Sequence, residues 1–193
     1  MASGTLSRWA QAAVLGVGLP ALLMAYLSGL DAGLAGVPGE DSCTRCHGGA
    51  GGPDVTGGVT VTFLGPPTFT PGLKQHLVVT VVDSGARRWG FQLTTRLASP
   101  SSAQAGKFTA GADGFTQLVC TQTNFRSQVF GDACATNGLP LQYIEQTQAG
   151  SRLGTTGAAS FEFDWTPPDF TANNLVLYGA ALAAPALPPW TPA

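Results

Sequence analysis

Short runs of alternating apolar and polar residues, separated by turn-forming residues, constrain the fold of this chain more than any other feature. The clearest runs are 58–63 (GVTVTF), 74–83 (KQHLVVTVVD) and 89–97 (WGFQLTTRL). A period of two places successive side chains on opposite faces of a strand, and abundant glycine and proline mark the turns between strands. Similar runs lie at 106–110, 115–122, 141–147, 159–165 and 174–182. Short strands at this spacing predict an all-β domain over 59–182, folded as an antiparallel β-sandwich.

The N-terminal residues, 1–36, have a different character. Arg8 precedes an uncharged, mostly apolar run over 10–30, and small residues follow it up to Gly36. This order is typical of a secretory signal peptide, and we expect cleavage near Leu-Ala-Gly, before Val37. The alternative is an uncleaved membrane anchor, because about 20 apolar residues are enough to span a bilayer. Both interpretations predict an exported protein that is periplasmic, secreted or held at the cell surface.

The charge of the chain excludes one class of partner. Only 10% of the residues are charged, and the formal net charge is −2. Nucleic-acid binding depends on a positive surface that neutralises phosphates. We therefore expect no nucleic-acid partner. The last residues, 183–193, show no period and are predicted to be a loose tail.

A Cys-x-x-Cys-His motif lies in the Gly-rich segment 37–58, which we predict to be an extended arm. Its residues are Cys43, Cys46 and His47. This spacing is the attachment signature of c-type haem, in which two thiols form thioethers with one porphyrin and the imidazole binds the iron. The motif therefore predicts covalent haem c with His47 as the proximal iron ligand. A redox-active disulfide and a zinc site are the alternatives.

The second axial ligand of such a haem is not evident from the sequence. Both methionines, Met1 and Met24, lie in the signal segment. His76, the only other histidine, is a candidate for this ligand, but the alternation of its strand favours an ordinary strand residue, and no carboxylate partner is evident. Water and an open site are further alternatives. The remaining side-chain candidates are Lys74, Lys107 and Tyr143.

Two further cysteines, Cys120 and Cys134, lie fourteen residues apart. Thiols outside the cytoplasm are generally oxidised. We therefore expect a structural disulfide between them that closes the intervening loop.

Two segments carry a family resemblance. The segment 85–110, with GARRWGFQL and a later GKF, is similar to a Reeler-type domain, and 161–182 (FEFDWTPPDFTANNLVLYGAAL) resembles its closing part. The wider layout, from about 37 to 181, resembles the exported bacterial choice-of-anchor V family. The resemblance implies a Reeler-like β-sandwich with an N-terminal haem-binding arm. It also implies a histidine after Tyr-Ile-Glu, where this chain has Gln146.

These observations predict an exported monohaem c-type cytochrome that transfers electrons. Its partner would be a redox protein or a small iron ligand, with possible membrane attachment through 10–30. No acid–base constellation indicates an enzyme. The alternative function is a haem-free extracellular adhesion or interaction module built on the Reeler-like sandwich.

Overall fold

The strands of the domain form two antiparallel sheets. The structure, a computed structural model, describes residues 29–47, 58–63, 68–122, 125–127, 134, 141–170 and 174–185. Within these ranges the helical elements are one helical turn, α1 (Thr44–His47), and a 3₁₀ turn (Ala149–Ser151). The strands are β1 (Gly58–Phe63), β2 (Gln75–Asp83), β3 (Arg88–Leu97), β4 (Lys107–Ala110), β5 (Thr116–Gln122), β6 (Phe125–Ser127), β7 (Gln142–Gln146), β8 (Gly157–Thr166) and β9 (Leu175–Ala184).

One sheet has four strands in the order β1-β2-β8-β4, and the other has five in the order β6-β5-β7-β3-β9. The long pairs β2–β8 and β3–β9 are in continuous register, for example Leu77 opposite Phe163 and Leu93 opposite Gly179. Neighbouring strands in the sheets are often distant in sequence, as β2 and β8 are. The topology therefore brings residues that are distant in sequence into each sheet.

The hydrophobic core lies between the two sheets. Alternate residues of β2 and β8 face alternate residues of β3, β5 and β7, as the period of two requires. The rings of Phe91 and Phe161 meet across the sheets, with 4.6 Å between their centroids. Trp89 and Trp165 are buried there, and their indole nitrogens donate to backbone carbonyls. This packing is that of a β-sandwich.

The predicted all-β fold is confirmed in outline, since each of the eight predicted runs contains one strand. The sequence missed β6, whose three residues are too few for an alternation to show. β9 extends to Ala184, two residues beyond its predicted end. Most of the predicted signal segment, and residues 186–193 of the predicted tail, lie outside the described ranges. In the part of the chain that is described, no helix is both long and apolar enough to cross a bilayer.

Candidate haem-attachment segment

The chain reaches the Cys-x-x-Cys-His motif through a tight hairpin. Ala35 and Ser42 form an antiparallel bridge, and the Gly36 amide donates to the Asp41 carbonyl at 3.0 Å. The turn between them is Val-Pro-Gly-Glu, in which the Glu40 amide donates to the Val37 carbonyl at 2.8 Å and Gly39 has φ +88°. Proline at the second position and a positive-φ glycine at the third fit a type II turn. Residues 37–42 of the predicted extended arm are therefore folded back.

The motif itself lies on the helical turn α1. The Ser42 hydroxyl accepts a hydrogen bond from the Thr44 amide at 3.3 Å, which satisfies one of the free donors at the start of the turn. An exposed ion pair, Arg45 Nη1 to Asp41 Oδ2 at 2.9 Å, spans the same turn. Cys43 is half-buried, and the side chains of Cys46 and His47 lie outside the described part of the structure.

The backbone of α1 fits the attachment of haem. Positions 43, 46 and 47 are three and four residues apart, the spacing at which residues share one face of a helix. Two thiols and an imidazole are the donor set that c-type haem requires. Thr44 and Arg45 are exposed, so the turn lies at the protein surface. Among the side chains that the structure describes, no group of three His, Cys, Asp or Glu residues is arranged to hold a metal ion.

A buried polar cluster anchors the hairpin to the five-stranded sheet. We call Glu40, Arg96 and Tyr143 the anchor cluster. The Tyr143 hydroxyl donates to Glu40 Oε2 at 2.7 Å, and Arg96 Nη2 donates to the Tyr143 hydroxyl at 2.7 Å and to Glu40 Oε1 at 3.3 Å. Arg96 also donates to Gln104 Oε1 and the Thr94 hydroxyl. The Arg96 side chain is 0% exposed and that of Glu40 is 20% exposed. Glu40 is three residues before Cys43, so the cluster fixes the base of the Cys-x-x-Cys-His motif.

The anchor cluster makes Tyr143 a poor iron ligand, although the sequence left it as a candidate. Burial, together with the Glu40 carboxylate beside it, raises the pKa of Tyr143 far above its ordinary value despite the opposing charge of Arg96. Tyrosine binds ferric haem as in catalase, through its phenolic oxygen. That oxygen is already engaged by both Glu40 and Arg96.

His76 lies on the other side of the sandwich. Alternation on β2 buries Leu77 and places His76 on the outer face of the four-stranded sheet. Its Nδ1 is 2.9 Å from Asp164 Oδ1 and its Nε2 is 3.5 Å from Glu162 Oε2. The expectation that His76 has no carboxylate partner was therefore wrong: two strand residues of β8, distant in sequence, supply one each.

The structure does not bring His76 to the Cys-x-x-Cys-His motif. Ser42 is bridged to Ala35, which is buried on the outer face of the five-stranded sheet, so both sheets separate α1 from His76. Lys74, which pairs with Asp164 at 2.8 Å, and Lys107 also belong to the four-stranded side. Burial opposes ionisation of Asp164, but the hydrogen bonds from Lys74 and His76 outweigh it and lower its pKa. These residues form a surface ion-pair cluster.

Gln146 occupies the position at which the family resemblance implies a histidine. Its Oε1 accepts a hydrogen bond from the Phe91 amide at 2.8 Å, next to Gly90. It alternates with Glu145 along β7 and so does not share the outer face with Tyr143 and Glu145. In this chain, Gln146 therefore accepts a hydrogen bond from a backbone amide of β3.

A second buried polar cluster was not foreseen from the sequence. The carboxylate of Glu145, 0% exposed, accepts hydrogen bonds from Gln92 Nε2 and Gln117 Nε2, each at 3.0 Å, and from the Leu30 amide at 3.1 Å. Burial raises the pKa of Glu145 to about 7, against the effect of these hydrogen bonds. Alternation along β7 predicts that this residue faces outward, but it does not reveal that residues from the N-terminal side cover it.

Cys120 and Cys134 are joined in a disulfide, with 5.7 Å between their Cα atoms. The bond ties Cys134 to β5, next to Val119, whose side chain belongs to the outer-face cluster with Tyr143. Both cysteines are buried. This pair therefore stabilises the sandwich and is separate from the Cys-x-x-Cys-His motif.

Comparison with known proteins assigns no family to this chain. No protein-family model, no curated protein and no solved structure matches it. The resemblance to Reeler-type and choice-of-anchor V proteins therefore stays a prediction from the sequence.

Proposed function

We propose that this chain is an exported monohaem c-type cytochrome-like protein that binds haem c and transfers electrons. The observation that carries the proposal is the Cys-x-x-Cys-His motif on a surface helical turn whose base is fixed to the sandwich. Cys43 and Cys46 would form the two thioethers, and His47 would be the proximal ligand. When bound, the haem supplies a one-electron redox centre.

The residues around the motif suit this role. Glu40, held by Arg96 and Tyr143, keeps the base of the motif in one position relative to the rigid five-stranded sheet. The exposed residues Thr44 and Arg45 leave the turn accessible to a redox partner protein. A fixed attachment at an accessible surface favours electron transfer over chemistry in an enclosed pocket.

The sixth coordination position is the feature that separates electron transfer from ligand binding. The four side chains considered from the sequence, His76, Lys74, Lys107 and Tyr143, are either on the opposite sheet or engaged in the anchor cluster. We propose that water or a small iron ligand takes this position, with His47 as the protein ligand. Electron transfer would then occur together with binding of a small molecule at the iron.

The test is covalent haem content. The full chain, expressed with its export signal and a cytochrome c maturation system, should give a haem-stained band after denaturation and a c-type pyridine haemochrome spectrum. Cys43→Ala/Cys46→Ala should abolish both signals. The matched control, Cys120→Ala/Cys134→Ala, should retain them because that pair forms the structural disulfide. A folded wild-type protein without covalent haem would refute the proposal and favour the extracellular interaction module.

A further inference from the structure

The residues directly before the hairpin are an integral part of the sandwich. We call residues 29–37 the strap. Its apolar side chains are buried against the outer face of the five-stranded sheet, where Ala32 and Ala35 pack with Val119 and Tyr143. The strap therefore covers apolar surface on β5 and β7 that would otherwise face solvent.

Polar contacts fix the strap along its length. The Leu34 amide donates to Gln92 Oε1 at 2.6 Å, and Gln92 Nε2 donates to the Asp31 carbonyl at 3.0 Å. The Leu30 amide reaches both carboxylate oxygens of Glu145 at 3.1 Å. Gln92 and Glu145 are 0% exposed under this cover. Backbone groups of the strap thus satisfy two buried side chains that are distant in sequence.

The sequence of the strap is suited to this path. Gly29, Gly33 and Gly36 have φ values of +112°, +93° and +77°, a region that side chains other than hydrogen disfavour. A Cβ atom added at Gly29 would overlap Glu145 Oε1 and Gln117 Nε2, so any other residue would force these two side chains to shift. A segment that is discarded after export has no need of these conformations or of this close approach.

From these contacts we infer that the strap is retained in the mature, exported protein. Cleavage before Val37, the site expected from the sequence, would remove Leu30, Asp31 and Leu34 and uncover β5 and β7. Any cleavage of the export signal therefore occurs upstream of Gly29. This inference rests on the export included in the proposed function, but it does not depend on the presence of haem.

The first test is the N-terminus of the exported protein. The full chain is expressed with its own export signal, recovered from the exported fraction, and analysed by N-terminal sequencing and peptide mapping. We expect peptides that contain residues 29–37. A folded, exported protein whose chain starts at any residue from 30 to 37 would overturn the inference. Haem staining of the same sample is a separate readout, so failure of either proposal can be recognised independently.

The second test uses a matched pair of glycines. Gly29 and Gly39 both have positive φ, but a Cβ at Gly39 would meet nothing within 4 Å. Gly29→Ala should therefore lower the Tm of the exported protein more than Gly39→Ala does, because it adds a clash with Glu145 to the same kind of backbone strain. If the strap were removed during export, Gly29→Ala would leave the Tm unchanged.

Discussion

Replacing Glu40 by glutamine tests whether the anchor cluster fixes the Cys-x-x-Cys-His motif to the sandwich. Glu40→Gln preserves the shape of the side chain but leaves the guanidinium of Arg96, 0% exposed, without its carboxylate. Removing one partner of a buried ion pair costs about 3–5 kcal/mol. Because Glu40 is 20% exposed and glutamine can still accept a hydrogen bond, we expect a loss of about 3 kcal/mol, at the lower end of that range. For a domain of this size the loss corresponds to a drop of about 6–12 °C in Tm.

The assay is urea denaturation followed by circular dichroism, with Asp41→Asn as the matched control. Asp41 is adjacent in sequence and also pairs with an arginine, but both side chains are about half exposed. That variant should lose less than about 1 kcal/mol. The double variant Glu40→Gln/Arg96→Met, which removes the buried charge as well, should recover part of the loss. If Glu40→Gln cost no more than Asp41→Asn, the anchoring argument would be refuted.

Three further predictions concern other parts of the molecule. The pKa of Glu145 is raised to about 7 from its ordinary 4.5. Between these two pH values the folded state keeps the Glu145 proton, whereas the unfolded state has lost it. The unfolding free energy should therefore fall by about 3 kcal/mol as the pH rises from 4.5 to above 7. Urea titrations of Glu145→Gln should lack this decline. An equal decline in the variant would show that Glu145 is not the group responsible. His76→Ala should leave the absorption spectrum of the haem protein unchanged, whereas His47→Ala should alter the Soret band; a spectral change in His76→Ala would show that His76 reaches the iron. Serine at both Cys120 and Cys134 should lower the unfolding free energy by about 3 kcal/mol, and the same stability with and without the disulfide would contradict its structural role.

The strands were predictable from the sequence because they depend on local alternation. Leu77, Val79 and Val81 repeat at period two on β2 and face the core as expected. The Cys-x-x-Cys-His motif was also evident, since its recognition requires only spacing; attachment of haem to it stays a prediction. The three-residue strand β6 was not, because three residues carry too little periodicity.

The contacts that anchor the motif were not predictable, because they join residues far apart in sequence. Arg96 and Glu145 occupy polar positions of their strands, and alternation alone suggests that both face solvent. They are buried because the strap and hairpin cross the outer face of their sheet. The carboxylate partners of His76 were missed for the same reason, because they lie on β8 and are brought to it by strand pairing. Such covering depends on topology, which a local pattern does not encode.

If the chain is exported as proposed, the long sequence separation within the anchor cluster has a consequence for the order of events during export. Glu40 contacts Tyr143, which follows it by 103 residues. A chain that crosses the membrane from its N-terminus exposes the Cys-x-x-Cys-His motif well before β7 has been translocated. The motif therefore cannot dock while most of the sandwich is still to emerge, and closing so long a loop is slow compared with local folding. For the proposed attachment of haem, this interval would give an attaching enzyme access to Cys43 and Cys46 before docking fixes the motif in its final position.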